Sequence, residues 1–142
     1  MKIGVVGSMQ FTEKMVELCS ELTQLGHDAH MNTFTAAFIG KDNAEKERIK
    51  LKQKYNADAI REDCKWIKDM DVLLVANYDK QGIKNYIGGN AFIEMAYAHI
   101  LYKEVYLLNP IPDMPYYGTE IIAMKPIVIN NDLTRIKPVN QA

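Results

Sequence analysis

The sequence predicts an α/β fold with a single doubly wound, flavodoxin-like sheet of five parallel strands and helices on both faces. Short apolar runs alternate with stretches of helical period along the chain. The run Asp71–Ala76 is continuous and apolar enough for a strand buried on both faces. Right-handed crossovers leave few other topologies for this element order. We therefore expect one domain spanning residues 1–142.

The first elements follow a strand–helix–strand order. Ile3–Val6 is an apolar run typical of a strand, and Phe11–Leu25 has apolar residues at helical spacing until Gly26 ends the pattern. His27–Met31 is predicted as a short second strand. Thr33–Gly40 has no clear period and is predicted as a loop.

The middle of the chain is more polar. Residues 41–55 are mostly Lys, Glu, Gln and Arg with few apolar residues, which indicates either a solvated helix or a mobile flap. Asn56–Asp58 leads into a further helical stretch that ends near Met70. The buried strand Asp71–Ala76 follows directly.

The second half of the chain continues the alternation. Its predicted elements are, in order, the helix containing Glu94, a strand at Glu104–Leu108, a short helix at Thr119–Met124, a strand at Ile127–Ile129 and a C-terminal tail over about residues 131–142. Three prolines between Asn109 and Tyr117 predict a loop there.

The composition excludes several classes of function. Lys and Arg number 17 and Asp and Glu 18, so binding to a nucleic acid polymer by bulk electrostatics is not indicated. No apolar run approaches the ~20 residues that span a bilayer, so no membrane partner is expected. Cys19 and Cys64 are predicted as buried thiols rather than a disulfide, and without a signal-peptide pattern the chain is expected to be cytoplasmic.

No metal and no cofactor are expected. The histidines have no Cys, Asp or Glu at the spacing of a metal site. A Walker lysine and a complete G-x-G-x-x-G fingerprint are both absent from the sequence, so a clamp for a nucleoside triphosphate or a dinucleotide is not supported.

Glu94 is the most informative residue for function. It is the only formally charged residue between Lys84 and Lys103, and it lies in an otherwise apolar helix. Burying a lone carboxylate is costly unless it has a partner or a function. Ala91 and Ala98 flank it on the same face and leave room for a small ligand. The alternative is a surface carboxylate that complements the helix dipole.

Asp63 is a second carboxylate in an apolar setting. At ~100° per residue it lies roughly 40° from Ile67 and 60° from Ile60, on the apolar face of its helix. The alternative is an acid that reaches the helix edge and pairs with a lysine or a backbone N–H. Two such acids suit glycosyl transfer, because one ionised carboxylate attacks the anomeric carbon or stabilises its positive charge. The other, with a raised pKa, positions a hydroxyl or protonates the leaving base.

Further candidate residues lie where the carboxyl ends of parallel strands converge, since ligands of such sheets bind there. The loops after the first strand and after Asp71–Ala76, with the start of the Glu94 helix, supply the candidate substrate-binding residues Gly7, Ser8, Met9, Gln10, Asn77, Gly88, Gly89 and Asn90. Four loop tyrosines would either stack on a base or simply pack within their loops; these are Tyr78, Tyr86, Tyr116 and Tyr117.

The chain resembles the nucleoside 2-deoxyribosyltransferase superfamily, which includes the deoxyribosyltransferases and the nucleoside 5'-monophosphate N-glycosidases. The matching motifs are the first strand ending in Gly7-Ser8, the run Asp63–Ile67 ahead of the Asp71 strand, and the glycine-led helix Gly89–Ala98 followed by Lys103 and a strand. The resemblance covers most of residues 1–130.

This resemblance implies cleavage of an N-glycosidic bond, or 2-deoxyribosyl transfer, on a small nucleoside or nucleotide. It implies that Glu94 is the nucleophile that forms a glycosyl-enzyme intermediate and that Asp63 is its acidic partner. Ser8 and its loop would hold the sugar or its 5'-substituent. Members of the superfamily are homo-oligomers, so a homodimer or a larger homo-oligomer is implied, with the region of Met124 contributing across an interface.

Three positions depart from the monophosphate hydrolases. Their tyrosine, phosphate-binding arginine and interface serine fall at Gly4, Gln10 and Ile122 here, so a standard 5'-phosphate pocket is not expected. The segment between Gly89 and Glu94 is also one residue longer here than in the transferases.

Two other classes of function stay open at this point. One is a non-catalytic, flavodoxin-like module that binds a nucleotide or metabolite, and the other is a structural role for Glu94 in a dimer interface.

Overall fold

A computed structural model describes residues 1–137 as a parallel five-stranded sheet in the order β2-β1-β3-β4-β5. The strands are β1 (Lys2–Val6), β2 (Asp28–His30), β3 (Val72–Val75), β4 (Glu104–Leu107) and β5 (Ile127–Val128). This is the strand order of the flavodoxin-like fold. The predicted fold class is therefore confirmed.

Helices connect the strands. They are α1 (Thr12–Gln24), α2 (Asn43–Asn56), α3 (Ala59–Lys68), α4 (Gly89–Ile100) and α5 (Gly118–Ala123), with shorter 3-10 turns at Met9–Phe11, Thr35–Phe38 and Leu133–Arg135. Within residues 1–137 no helix has the length and apolar character that crossing a membrane would require.

The two faces of the sheet bury two apolar clusters. Helix α1 and the segment after β5 cover one face, and α3, α4 and α5 cover the other. The first cluster includes Ile3, Val5, Met15, Leu22 and Ile129, and the second includes Ile67, Leu73, Met95, Leu107 and Ile121. Strand β3 lies between β1 and β4 and is buried along its whole length, which explains its unbroken apolar sequence.

The loop predicted at Thr33–Gly40 is partly wrong, because Thr35–Phe38 forms a 3-10 turn. The turn is stabilised locally. Asn32 Oδ1 accepts hydrogen bonds from the backbone N–H groups of Phe34 and Thr35, both at 3.1 Å. Such a side-chain cap gives no periodic signal in the sequence.

The predicted C-terminal tail contributes to the core over the part that the structure describes. Leu133–Arg135 forms a 3-10 turn, and Leu133 and Ile136 pack into the cluster beneath α1. Residues 138–142 of that predicted tail lie outside the described residues.

The charged segment at residues 41–55 forms α2, and the interpretation as a fully solvated helix is wrong for one of its faces. Asp42 caps the helix by accepting a 2.8 Å hydrogen bond from the Glu45 N–H. Lys46 is only 3% exposed. Its Nζ lies 3.0 Å from Glu13 Oε2 on α1, so this ion pair holds α2 against the rest of the fold.

Cys19 and Cys64 are both free thiols, as expected, although both are only partly buried. Burial raises the pKa of Cys19 to about 11. Burial raises the pKa of Cys64 on α3, and the nearby charges of Glu94 and Asp63 raise it further. Both thiols are therefore protonated and poorly nucleophilic near neutral pH.

Gly4 on β1 is explained by packing. A Cβ at this position would lie 2.8 Å from Trp66 Cη2 and 2.9 Å from Met70 Cγ, so α3 packs directly on the strand backbone. The glycine at this position is therefore explained by the close approach of Trp66, on the helix that contains Asp63.

Gly4→Ala is expected to destabilise the protein by about 1–3 kcal/mol, because the added methyl group overpacks the contact with the rigid Trp66 ring. Urea unfolding followed by circular dichroism measures the change. Gly118→Ala is the matched control, since a Cβ there meets no atom within 4 Å. Equal stability of the two variants would contradict this explanation.

Candidate functional site

A cavity of about 330 Å³ opens at the carboxyl ends of β1 and β3. The strand order reverses at this pair, because β1 continues to β2 on one side and β3 to β4 on the other. The walls come from the loop after β1, the segment after β2, helices α2 and α3, the loop after β3 and the start of α4. The volume lies within the usual range for small-molecule sites.

Glu94 lies on the second turn of α4, faces the cavity and is only 5% exposed. Its Oε2 has no hydrogen-bond partner among residues 1–137. Burial raises the pKa of Glu94 well above its ordinary value, and the charge of Asp63 raises it further, while Lys54 lowers it. A carboxylate that merely complements the helix dipole would be exposed to solvent, so that alternative does not describe Glu94.

Asp63 faces the same cavity from α3 and is 6% exposed. Its Oδ1 is also buried without a hydrogen-bond partner in the described part of the chain. Burial raises its pKa to about 6, with a smaller contribution from Glu62, while Lys54 acts in the opposite direction. Among residues 1–137 Asp63 forms no ion pair, so the alternative of an acid satisfied by a lysine at the helix edge is not observed.

The two carboxyl groups lie close enough for the charge of one to affect the other. They line one cavity, α3 packs against α4, and the charge of Asp63 raises the pKa of Glu94. Interacting acids lose their protons in two steps that belong to the pair. Burial thus favours the protonated form of both acids in the ligand-free cavity. Such a pair can supply one carboxylate and one carboxylic acid at the same time.

The loop after β1 brings Gly7, Ser8 and Met9 to the cavity. A Cβ on Gly7 would lie 3.1 Å from the backbone oxygen of Ala76, so a larger residue would crowd this loop against the end of β3. Ser8 Oγ accepts hydrogen bonds from the Gln10 N–H at 3.3 Å and from Lys80 Nζ at 2.8 Å. The serine hydroxyl is therefore held in place at the cavity wall.

The start of α4 brings Gly88, Gly89 and Asn90 to the cavity, on the same helix as Glu94. Gly88 is the N-cap, and a Cβ on it would lie 3.1 Å from Tyr86 Cε1. The glycine thus allows the Tyr86 ring to lie against the helix start, where that ring also lines the cavity.

Three candidate residues lie away from the cavity. Asn77 is fully buried, and its side chain exchanges hydrogen bonds with the backbone of Asn109, at 2.9 and 3.0 Å, which joins the loops after β3 and β4. The Gln10 side chain is not among the lining groups. Met124 lies at the end of α5, in a separate surface depression shared with Tyr102.

Of the four loop tyrosines, only Tyr86 lines the cavity. Tyr78 packs edge-on against Phe11 with ring centroids 5.2 Å apart, and Tyr117 stacks on Phe92 at 4.6 Å. Tyr116 is 99% exposed. Tyr78 and Tyr117 therefore pack against neighbouring side chains and are not positioned to stack on a ligand in this cavity.

Sequence reasoning missed the lysines of the site. Lys50 and Lys54 on α2 line the cavity together with Lys80 from the loop after β3. A signal was present in the sequence, because Lys46, Lys50 and Lys54 recur at four-residue spacing and so share one stripe of a helix. Asn32, Phe34 and Gln53 were missed as well, and no periodic pattern marks them.

Comparison with known proteins gives one structural match. No protein-family model matches the chain, and no curated protein matches it in sequence. The structure of the CMP N-glycosidase BcmB of Clostridium botulinum is similar to this fold, with a TM-score of 0.51 and 14% sequence identity over 92% of this chain and 90% of that chain. At this identity the likeness concerns the fold.

Asp63→Asn is expected to stabilise the protein above about pH 6. The native state binds more protons than the unfolded state between the ordinary Asp pKa of about 3.9 and the raised value, so stability falls as pH rises through that window. Removing the charge should increase the free energy of unfolding by about 1–2 kcal/mol at about pH 8, or roughly 2–5 °C in Tm, and should change it little at about pH 4. Differential scanning calorimetry at the two pH values measures the change in Tm.

Asp113→Asn, at an exposed loop position, is the control and should change Tm at neither pH. A gain for Asp63→Asn that is equal at the two pH values, or a loss at about pH 8, would show that the buried charge does not lower the stability of the fold.

Proposed function

We propose that this protein cleaves the N-glycosidic bond of a nucleoside or nucleotide, with Glu94 as the nucleophile. The observation that supports it most directly is the pair of buried carboxyl groups facing one cavity, each with an oxygen that lacks a hydrogen-bond partner among residues 1–137. Leaving such groups unpaired costs stability, and functional sites are where that cost is commonly found. The likeness of the fold to that of a CMP N-glycosidase supports the same bond as the target.

In the first step, the Glu94 carboxylate attacks the anomeric carbon of the sugar. The bond between that carbon and the base nitrogen breaks, and the electron pair leaves with the base. Asp63 in its carboxylic acid form gives its proton to the leaving base. The products of this step are the free base and a sugar joined to Glu94 as an ester.

In the second step, an acceptor attacks the same carbon and releases Glu94. Asp63, now a carboxylate, takes a proton from the acceptor as the new bond forms. If the acceptor is water, the reaction is hydrolysis. If the acceptor is a second base, the reaction is glycosyl transfer, and the same two residues serve both outcomes.

The mechanism requires one proton on the pair, placed on Asp63. Burial raises the pKa of both acids in the ligand-free cavity. The positive charge that develops on the sugar as its bond to the base breaks stabilises the Glu94 carboxylate next to it, so the proton is held on Asp63. Lys54 acts on both acids and lowers the pKa of each.

The substrate would be held by groups already at the cavity wall. Gly7 and Ser8 of the loop after β1 would lie next to the sugar, with Gly88, Gly89 and Asn90 beside the reacting carbon. The Tyr86 ring offers a face on which a base can stack.

Assembly as a homo-oligomer stays a prediction. Four large apolar side chains around the ends of α4 and α5 are exposed, namely Ile100, Tyr102, Ile122 and Ile127. Met124 lies among them, so it would meet a substrate only if its region reached the cavity of another copy.

Glu94→Ala and Glu94→Gln are each expected to reduce kcat/KM for base release by at least about 1,000-fold, because no ester intermediate can form. Chromatography of the free base, over a panel of nucleosides and nucleoside monophosphates, measures this. Glu94→Gln should still bind substrate, since the amide keeps the shape of the site.

Glu17→Gln, at an exposed position of α1, is the matched control and should keep full activity. Rapid quenching followed by mass spectrometry should find the sugar on the peptide that contains Glu94. If the sugar is found on Asp63 the two roles are reversed. If no panel member is cleaved although some raise the Tm, the protein is a binding module and the catalytic proposal is wrong.

The pH profile of kcat/KM is expected to be bell-shaped. Activity should rise near pH 6, as the doubly protonated pair loses its first proton, and should fall at higher pH as the second proton is lost. Lys54→Met should move both limbs to higher pH, because Lys54 favours the ionised form of both acids. Lys52→Met, at an exposed position on the same helix, should leave the profile unchanged. A profile that Lys54→Met does not move would contradict the assignment.

A further inference from the structure

One part of the cavity wall has no role in the proposed chemistry. It is formed by Asn32 and Phe34, from the segment after β2, and by Gln53 on α2. All three side chains are uncharged. Strand β2 lies on one side of β1 and strand β3 on the other, so this wall and the Glu94 helix approach the loop after β1 from different sides. Because the sugar must lie at Glu94, contact with this wall falls to another part of the substrate.

The Phe34 ring is half-buried and has no aromatic partner in the described part of the fold. Among residues 1–137 it belongs to neither apolar cluster and pairs with no other ring. Tyr86, which also lines the cavity, packs on the second cluster and has Lys80 Nζ 5.1 Å from its ring centroid. Phe34 therefore offers the cavity an aromatic surface that neither cluster uses.

The backbone of Phe34 is held on both sides. Its N–H donates a 3.1 Å hydrogen bond to Asn32 Oδ1, and its carbonyl oxygen accepts a 3.2 Å hydrogen bond from Gln53 Nε2. Asn32 Oδ1 also accepts from the Thr35 backbone N–H at 3.1 Å and from the Thr35 hydroxyl at 2.9 Å. The ring is thus attached to a fixed peptide, which lowers the ordering cost when a ligand stacks on it.

The same hydrogen bonds fix the direction of two amide groups. A backbone N–H only donates, so the Asn32 atom that meets it must be the oxygen. A backbone carbonyl only accepts, so the Gln53 atom that meets it must be the nitrogen. The opposite ends, Asn32 Nδ2 and Gln53 Oε1, form no hydrogen bond within residues 1–137. The wall therefore offers one fixed donor and one fixed acceptor beside an aromatic ring.

We infer that Phe34 stacks on the base of the substrate and that Gln53, with Asn32, recognises the hydrogen-bonding edge of that base. The inference rests on the proposed N-glycosidic cleavage. A base has a π-face for stacking and an edge on which a donor and an acceptor are neighbours, and amide side chains pair with such edges.

This arrangement distinguishes amino bases from keto bases. Cytosine and adenine have an amino donor beside a ring-nitrogen acceptor, whereas uracil and hypoxanthine have a carbonyl acceptor beside a ring N–H donor. The two kinds of edge thus present the same groups in reverse order. Neither amide can turn end for end without losing its hydrogen bond to the Phe34 backbone. Gln53 is therefore the specificity-determining residue, because it selects one order over the other.

The test uses free bases, which are products of the proposed reaction and bind without turnover. Isothermal titration calorimetry compares cytosine with uracil and adenine with hypoxanthine. Within at least one pair, one base should bind the wild-type protein about tenfold or more tightly than the other, because the wrong edge leaves polar groups unpaired. Gln53→Met should bring these two affinities within about threefold of each other.

Variants of Phe34 test the stacking separately. Phe34→Leu should weaken both members of the pair by a similar factor, roughly fivefold or more, because stacking does not depend on the edge of the base. Phe34→Tyr should keep the wild-type affinities, since the ring is retained.

Gln24→Met is the matched control for Gln53→Met, because Gln24 is exposed at the end of α1 and is absent from the cavity wall. It should keep both affinities, and thermal unfolding of each variant checks that the fold is kept. If Gln53 only supports the wall, its loss weakens both bases equally and leaves their ratio unchanged, which would overturn the inference. Equal affinities within both pairs, no binding of any base, or wild-type binding by Phe34→Leu would also overturn it.

The two proposals fail in different ways. If bases bind with a preference that depends on Gln53 but no nucleoside or nucleotide is cleaved, the catalytic proposal is wrong and the base subsite stands. If substrates are cleaved but amino and keto bases are released equally fast, and Phe34→Leu changes neither rate, the catalytic proposal stands and the base subsite is wrong.

Discussion

Burial of Glu94 and Asp63 beside one cavity is the constraint on which the site depends. Each ionised carboxylate without hydrogen-bond partners costs several kcal/mol when it leaves water. The apolar packing around β3 must offset that cost, with Ile67 on α3 and Met95 on α4 among its fully buried side chains. The same burial raises the pKa of both acids, so the cost to stability and the acid–base capacity of the site have one physical origin.

Helix α2 has two effects on this pair. It forms one wall of the cavity that the two acids face, and it places Lys54 where its charge acts on both of them. Its attachment is polar. Lys46 pairs with Glu13 on α1, and the Gln53 side chain donates to the Phe34 backbone oxygen at 3.2 Å. Polar contacts of this kind position α2 at the site but add little net stability.

Much of the fold could be predicted because its signals are local. Apolar continuity identified β3, and helical spacing placed Asp63 on the inner face of α3. Glu94 is distinctive in the sequence because a lone charge in an apolar helix is unusual. Asn77 shows the limit of such reasoning. It follows a strand end as a binding residue would, but its amide joins two loops, and only the partner Asn109 reveals this.

The sequence alone determined the order of the elements, the parallel sheet and the unusual apolar setting of Glu94 and Asp63. It could do so because hydrophobic period and helix angle are properties of neighbouring residues. Tertiary structure decided which residues surround those acids. A charged stripe such as Lys46, Lys50 and Lys54 looks the same in sequence whether it faces water or a cavity. In the folded protein α2 packs at the carboxyl ends of the strands, and this stripe faces inward toward Glu13 and the cavity. Its partners are distant along the chain, so the local sequence does not reveal them.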